Sequence, residues 1–140
     1  SDCFRLSVIL CLGVPQFVIL ALRVRQQRLV RARLHNLTLI SGAAPEALAG
    51  LPAPDRVFVG GTGGHMAETL AAVHAANPAA RVVISAIAIE SLSAALAALQ
   101  AQGFEAIQVS QISVSRSRPA GGLHLMMAQN PVYLISGGAL

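Results

Sequence analysis

The segment from Asp55 to Ile89 limits the possible folds more than any other part of the chain. It reads DRVFV, GGTGGH, MAETLAAVHAAN and then, after Pro78, RVVISAIAI. DRVFV is an apolar run that reads as a strand, and RVVISAIAI, as far as Ile89, reads as a second buried strand. Between them Met66, Leu70, Val73 and Ala76 recur at helical spacing. Asn77-Pro78 stops the helix, because a residue before proline avoids the helical region. Two strands joined through a helix of this length lie parallel, with a right-handed crossover. Gly60, Gly61, Gly63 and Gly64 occupy the joint between the first strand and the helix. In open sheets of this kind ligands bind outside the carboxyl ends of the strands, where that joint lies.

The alternation continues on both sides. FVILALR reads as a strand and QQRLVRARLHN as a helix, with Leu29, Val30 and Leu34 on one side and arginines on the other. LTLI is a short strand, and SGAAPEALAGLP a loop with one helical turn. ESLSAALAALQAQ is a helix with Leu92, Leu96 and Leu99 on one stripe, ended by Gly103. FEAIQVSQISVSR and LHLMMAQNPVYLISG are strand-like runs with no helix between them, connected by SRPAGG. The expected architecture is α/β: a mostly parallel twisted sheet with a C-terminal antiparallel hairpin whose last strand lies at an edge. Residues 1–140 read as one domain, with an atypical segment over residues 1–16.

LSVILCLGVPQFVILAL, Leu6 to Leu22, is uncharged and precedes RVRQQRLVRAR, the pattern of a membrane span with a positive flank. Gly13, Pro15 and Gln16 near its centre and its short length favour two buried strands over a span of about 20 residues. A signal peptide would carry its positive charge ahead of the apolar run. The chain has ten arginines and no lysine, and Arg23, Arg25, Arg28, Arg31 and Arg33 fall in one short stretch. Such a strip can bind phosphates, acidic lipids or a polycarboxylate, or simply face solvent. With no Trp and one Tyr, base-stacking recognition of nucleic acid is disfavoured. Cys3 and Cys11 lack metal or redox spacing and read as reduced thiols, which fits a cytoplasmic protein. His35, His65, His74 and His124 have no metal-ligand spacing, and no GxSxG elbow is present.

Glycines in the joint permit positive φ and close approach of a ligand to the backbone. The N–H groups of the helix that follows favour an anion or polar ligand group, and Thr62 or His65 can cap the helix or contact a ligand. The spacing is neither GxGxxG nor GxxxxGK[ST]. A tight strand-to-helix turn that needs glycine for packing is the plainer alternative.

VFVGGTGGHMAETL, ARVVISAIAIESLSAALAALQAQGF and QVSQISVSRSRPAGGLHLMMAQNPVYLISGG together resemble the decarboxylating precorrin-6Y methyltransferases of cobalamin biosynthesis, in particular the domain that methylates C-15. SGAAPEALAGLPAPD also resembles that family's segment ahead of the glycine loop. The resemblance covers Phe17 to Gly138. It implies a Rossmann-like class I methyltransferase that uses S-adenosylmethionine, methylates a precorrin at C-15 and removes a carboxyl group from an acetate side chain. By resemblance, Gly60, Gly61, Thr62 and Gly63 lie beside the cofactor, and Gly42, Ala43 and Ala44 border its adenine. Gly64, His65, Arg116 and Arg118 face the tetrapyrrole, with both arginines in a turn, and Glu90 at the end of a buried strand is the candidate acid or base. Arginines suit a carboxylate-rich substrate because they bind carboxylates in a bidentate manner. The family also implies a homo-oligomer, with the hairpin as contact, and no metal.

The chain departs from that family in its first third. The family has a glycine-rich loop after its first strand, followed by a helix; here Gly13 stands alone, and VPQ leaves no room for a crossover. The acidic residue expected to hold the ribose aligns with Arg23, which cannot accept hydrogen bonds. Ala43 replaces the usual polar residue, and SAIAIE lacks the usual amide and hydroxyl. The sequence therefore predicts weak or lost binding of S-adenosylmethionine.

Overall fold

A computed structural model describes residues 8–12, 16–21, 37–60 and 64–138. The strands are β1 (Val8–Leu12), β2 (Gln16–Ala21), β3 (Leu37–Ser41), β4 (Arg56–Val59), β5 (Arg81–Ala86), β6 (Gln108–Ile112), β7 (Ser115–Ala120), β8 (Leu123–Ala128) and β9 (Val132–Gly137). The helices are α1 (Met66–Ala76) and α2 (Ile89–Ala101), and a single 3-10 turn spans Glu46–Leu48. The expected helix over QQRLVRARLHN, the Arg23–Arg33 strip, Cys3 and His35 lie outside the described residues. Among the described residues no helix is long and apolar enough to cross a membrane.

Seven strands form one sheet in the order β3-β2-β1-β4-β5-β9-β6. Its core follows the 3-2-1-4-5 order of doubly wound folds. The sheet is mixed rather than mostly parallel by pairing. Of its neighbouring pairs, β2/β3 and β4/β5 are parallel, whereas β1/β2, β1/β4, β5/β9 and β6/β9 are antiparallel. Five strands thus point one way, and β1 and β9 point the other. Connection length accounts for both reversals. Leu12 pairs with Gln16 across the β1/β2 link, and so short a link joins only antiparallel neighbours. β9 returns from β6 through a hairpin, so it is antiparallel too. It sits inside the sheet, between β5 and β6, not at the edge, because the α2 crossover leaves one strand position open beside β5.

The core lies between one face of the sheet and the two helices. β5 alternates half-buried and buried residues, and its buried set is Val82, Ile84 and Ala86. Val57 and Val59 of β4 and Ile135 of β9 share that layer with Leu70 and Val73 of α1 and with Ala95, Ala98 and Leu99 of α2. Full burial of one such Leu or Ile contributes about 1.5–3 kcal/mol. Leu92 and Leu96 pack against this core at half exposure, as the leucine stripe predicts, whereas Ala76 of the α1 stripe is exposed. Backbone approach between the end of β9 and the start of β5 is close enough to demand glycine at Gly138, which has φ +113 and where a Cβ would come within 2.5 Å of the Ala80 carbonyl oxygen.

β7 and β8 form a separate two-stranded ribbon. Each of the long strand-like runs in the sequence is therefore two strands, one in the sheet and one in the ribbon. Gly121 and Gly122 make the turn, both at positive φ, as a tight two-residue hairpin requires. At the ribbon's base the Gln129 N–H donates to the Val114 carbonyl at 2.9 Å. Every residue of β7 and β8 is exposed.

Candidate functional site

Strand register defines the carboxyl edge of the sheet, where ligands bind in open α/β folds. β2 and β3 end together, Ala21 opposite Ser41. β4 and β5 end at Val59 and Ala86, and β6 ends at Ile112, opposite Val132, the first residue of β9. This carboxyl edge gathers the segments that follow Ser41, Val59, Ala86 and Ile112. It therefore collects Gly42–Ala44, Gly60, the Ile87–Glu90 segment and the base of the ribbon. Of the sequence-predicted residues, Gly42–Ala44, Gly60, Gly64, His65 and Glu90 follow strands that end at this edge, and Arg116 and Arg118 lie on the ribbon that follows β6.

The glycine loop leaves β4 at Gly60 and re-enters the described residues at Gly64, with φ +98. Gly61, Thr62 and Gly63 lie outside the described residues. His65 is the N-cap of α1, and its side chain makes no capping hydrogen bond. Its carbonyl instead accepts two bonds from Thr69, from the N–H at 3.1 Å and from Oγ1 at 2.6 Å. This satisfies the hydroxyl of Thr69, a fully buried polar residue, and leaves the His65 ring exposed at the edge. Ala88 caps α2 without a side-chain hydrogen bond as well. Both helices thus begin at the carboxyl edge without a side-chain cap, an omission that costs about 1 kcal/mol each. Their first-turn N–H groups carry partial positive charge that favours anionic groups.

Glu90 is not at a strand end. β5 stops at Ala86, and Glu90 is the second residue of α2, exposed in its first turn. The favourable helix-terminus position accounts for an acid there and leaves the carboxylate open to the edge. Gly42 has a local packing reason to be glycine: a Cβ would lie 2.7 Å from the Ala47 Cβ. Ala43 is exposed, with its carbonyl accepting from the Ala47 N–H at 2.9 Å, and Ala44 packs half-buried against the core.

Arg116 and Arg118 lie on strand β7, not in the turn. Their register partners are Met127 and Leu125, and Ala120 pairs with Leu123. Alternation along a strand places Arg116, Arg118 and Ala120 on one face with Leu123, Leu125 and Met127. Two cations therefore border an aliphatic strip. On the opposite face Met126 is 67% exposed.

Ile87 and Ile89 were not singled out in the sequence, because SAIAI reads as a continuing buried strand. They are 62% and 70% exposed, although Val82 and Ile84 on the preceding strand are fully buried. No period-2 signal distinguishes them; the end of the strand at Ala86 does.

β1 arrives at this edge instead of leaving it. Val8 pairs with Val59 and Cys11 with Arg56, so the first residues of β1 stand beside the glycine-loop end of β4. The Leu12–Gln16 pair lies at the opposite edge. Among the described residues, β1 therefore leaves no carboxyl end between β2 and β4 at this edge. Among the described residues no group of His, Cys, Asp and Glu could hold a metal ion. An apolar cleft of about 270 Å³ between Pro45–Pro54 and the Ala72, Val73 and Ala76 side of α1 has no titratable lining.

A family model described as a precorrin methyltransferase domain matches residues 18–137. The probable cobalt-precorrin-6B C(15)-methyltransferase (decarboxylating) of Methanothermobacter thermautotrophicus is 35% identical over 104 residues, 74% of this chain and 54% of the relative. The chain thus spans about half the length of that relative. The crystal structure of a precorrin 8W decarboxylase from Methanobacterium thermoautotrophicum superposes with a TM-score of 0.77 at 29% identity, covering 87% of this chain and 69% of that one. A SAM-dependent O-methyltransferase from Thermotoga maritima matches with a TM-score of 0.59 at 14% identity, covering 86% of this chain and 49% of that one, a likeness of fold.

Proposed function

The chain belongs to the precorrin methyltransferase domain family, and on that premise we propose that it serves methylation of a precorrin at C-15 coupled to decarboxylation. The observation that carries this reading is that Gly60 and Gly64, two uncapped helix N-termini and the base of the arginine-bearing ribbon follow strands ending at one edge of the sheet. Each has a role there. Arg116 and Arg118 are placed to bind carboxylates of the macrocycle in a bidentate manner. Gly64 lets the loop approach the substrate closely, and the first-turn N–H groups of α1 and α2 favour further carboxylate oxygens. Loss of CO2 leaves an electron pair in the conjugated ring system and requires a proton at the carbon left behind. His65 and Glu90 are exposed titratable groups on the same edge and are the candidates to manage that proton.

S-adenosylmethionine supplies the methyl group in this chemistry when bound. Gly60 to Gly63 and Gly42 to Ala44 would border it from the β4 and β3 sides. From the β1 side this chain does not fit it, because β1 runs into the edge and Arg23 replaces the ribose-binding acid. That observation favours a second reading, a methyltransferase-like domain of residues 1–140 that holds the tetrapyrrole with a structural or partner-dependent role. The ribbon face carrying Ser117, Met126 and His124 is then a contact for a second copy. Incubation with cobalt-precorrin-6B and S-adenosylmethionine, followed by mass spectrometry, separates the two. Gain of a methyl group with loss of CO2 supports the first reading, and unchanged substrate the second.

A further inference from the structure

The carboxyl edge carries an aliphatic feature that the catalytic reading does not use. Ile87 and Ile89 flank Ala88 between β5 and α2 and are 62% and 70% exposed. Register places them beside other exposed aliphatics. Ala86 pairs with Tyr133, and the next residue of β9, Val132, pairs with Ile112. Ile112 is 46% exposed, and Val114, which leads into the ribbon, 40%. Ile87, Ile112 and Val114 thus follow one another along the edge toward Arg116 and Arg118, with Ile89 on the adjoining first turn of α2. This is unusual in a fold that buries Val57, Val59, Val82 and Ile84 almost completely. Ligand sites combine apolar walls with a few convergent polar groups, and exposed aliphatic clusters of this kind mark interaction surfaces.

We propose that Ile87 and Ile89 form an apolar shelf that seats the face of a tetrapyrrole ring, with Arg116 and Arg118 binding its peripheral carboxylates. The proposal rests on the precorrin reading above. Charge complementarity selects this occupant. The shelf continues into a ribbon that carries two arginines and no acid, so the matching ligand has an apolar face and an anionic rim. A protein partner would need both in one flat patch. A polycarboxylate without a ring face would leave the isoleucines in water. Glu90, one residue beyond Ile89, then lies at the rim of the seated ring.

Uroporphyrin, a stable carboxylate-rich tetrapyrrole, is the probe, titrated by absorbance and fluorescence at several salt concentrations. Both isoleucines are largely exposed, so the Ile87→Ser/Ile89→Ser double variant keeps its fold, which circular dichroism and melting verify. The expected result is a loss of affinity of about tenfold or more, from the apolar area no longer buried, with the salt dependence unchanged. Arg116→Gln/Arg118→Gln in the same assay flattens the salt dependence, which separates rim from face. Tight uroporphyrin binding by the unsubstituted chain with no loss in the isoleucine variant overturns the shelf and leaves the precorrin reading standing. No uroporphyrin binding by the unsubstituted chain overturns both.

Discussion

The two halves of the carboxyl edge are built from the same kind of strand and end differently. On one side β4 reaches β5 through α1, and β5 reaches β6 through α2, so each of these strands leaves its carboxyl end at the edge with a loop and a helix N-terminus attached. On the other side β1 turns directly into β2, Leu12 opposite Gln16, and what β1 presents at the edge is its beginning. Hydrogen bonding satisfies both arrangements equally. The difference lies in connection length, which sets strand direction and so decides which end of a strand meets a ligand. Among the described residues, the half from β4 to β6 presents strand carboxyl ends and helix N-termini at the edge, and β1 presents its amino end there.

The strongest way to break this comparison is to weaken the packing under the substrate-facing half. Leu99 is fully buried between α2 and β9, and Leu99→Ala should lower stability by about 3 kcal/mol, read by urea denaturation. A loss well under 1 kcal/mol would mean that this half is not the rigid platform described. A smaller effect, of opposite sign, is expected at Ala106, between α2 and β6. It has φ 48, a left-handed conformation that disfavours any side chain. Ala106→Gly should therefore raise the midpoint, by about 1 kcal/mol. The smallest effect belongs to the ribbon. Leu125 is 49% exposed, and Leu125→Ala should shift stability by no more than about 0.5 kcal/mol. A shift as large as that of Leu99→Ala would show that the ribbon is packed against something in solution.

Much of the packed half was legible in the residues. Helical spacing of Met66, Leu70 and Val73, the Asn77-Pro78 stop and the apolar runs on either side required a strand–helix–strand unit. The glycines then marked its ligand end. Strand direction was harder to read. VPQ is too short for a crossover, but that length alone does not show that β1 keeps its central place and reverses. The C-terminal runs misled in another way. Continuous β propensity from Gln108 to Ala120 hides the break at Ser113 and Val114, because a strand that leaves one sheet for a free ribbon keeps the same local pattern. Arg116 and Arg118 accordingly moved from a turn to a strand face, and Glu90 from a strand end to a helix. Ile87 and Ile89 were invisible for a related reason: exposure at a strand's end depends on where the strand stops, which tertiary packing decides.

The contrast between the two halves is tested most directly by calorimetric titration of S-adenosylmethionine into the protein, alongside uroporphyrin. With β1 entering the edge beside Val59, uroporphyrin should saturate and S-adenosylmethionine should show no saturable heat in the micromolar range. Micromolar binding of S-adenosylmethionine would contradict the account.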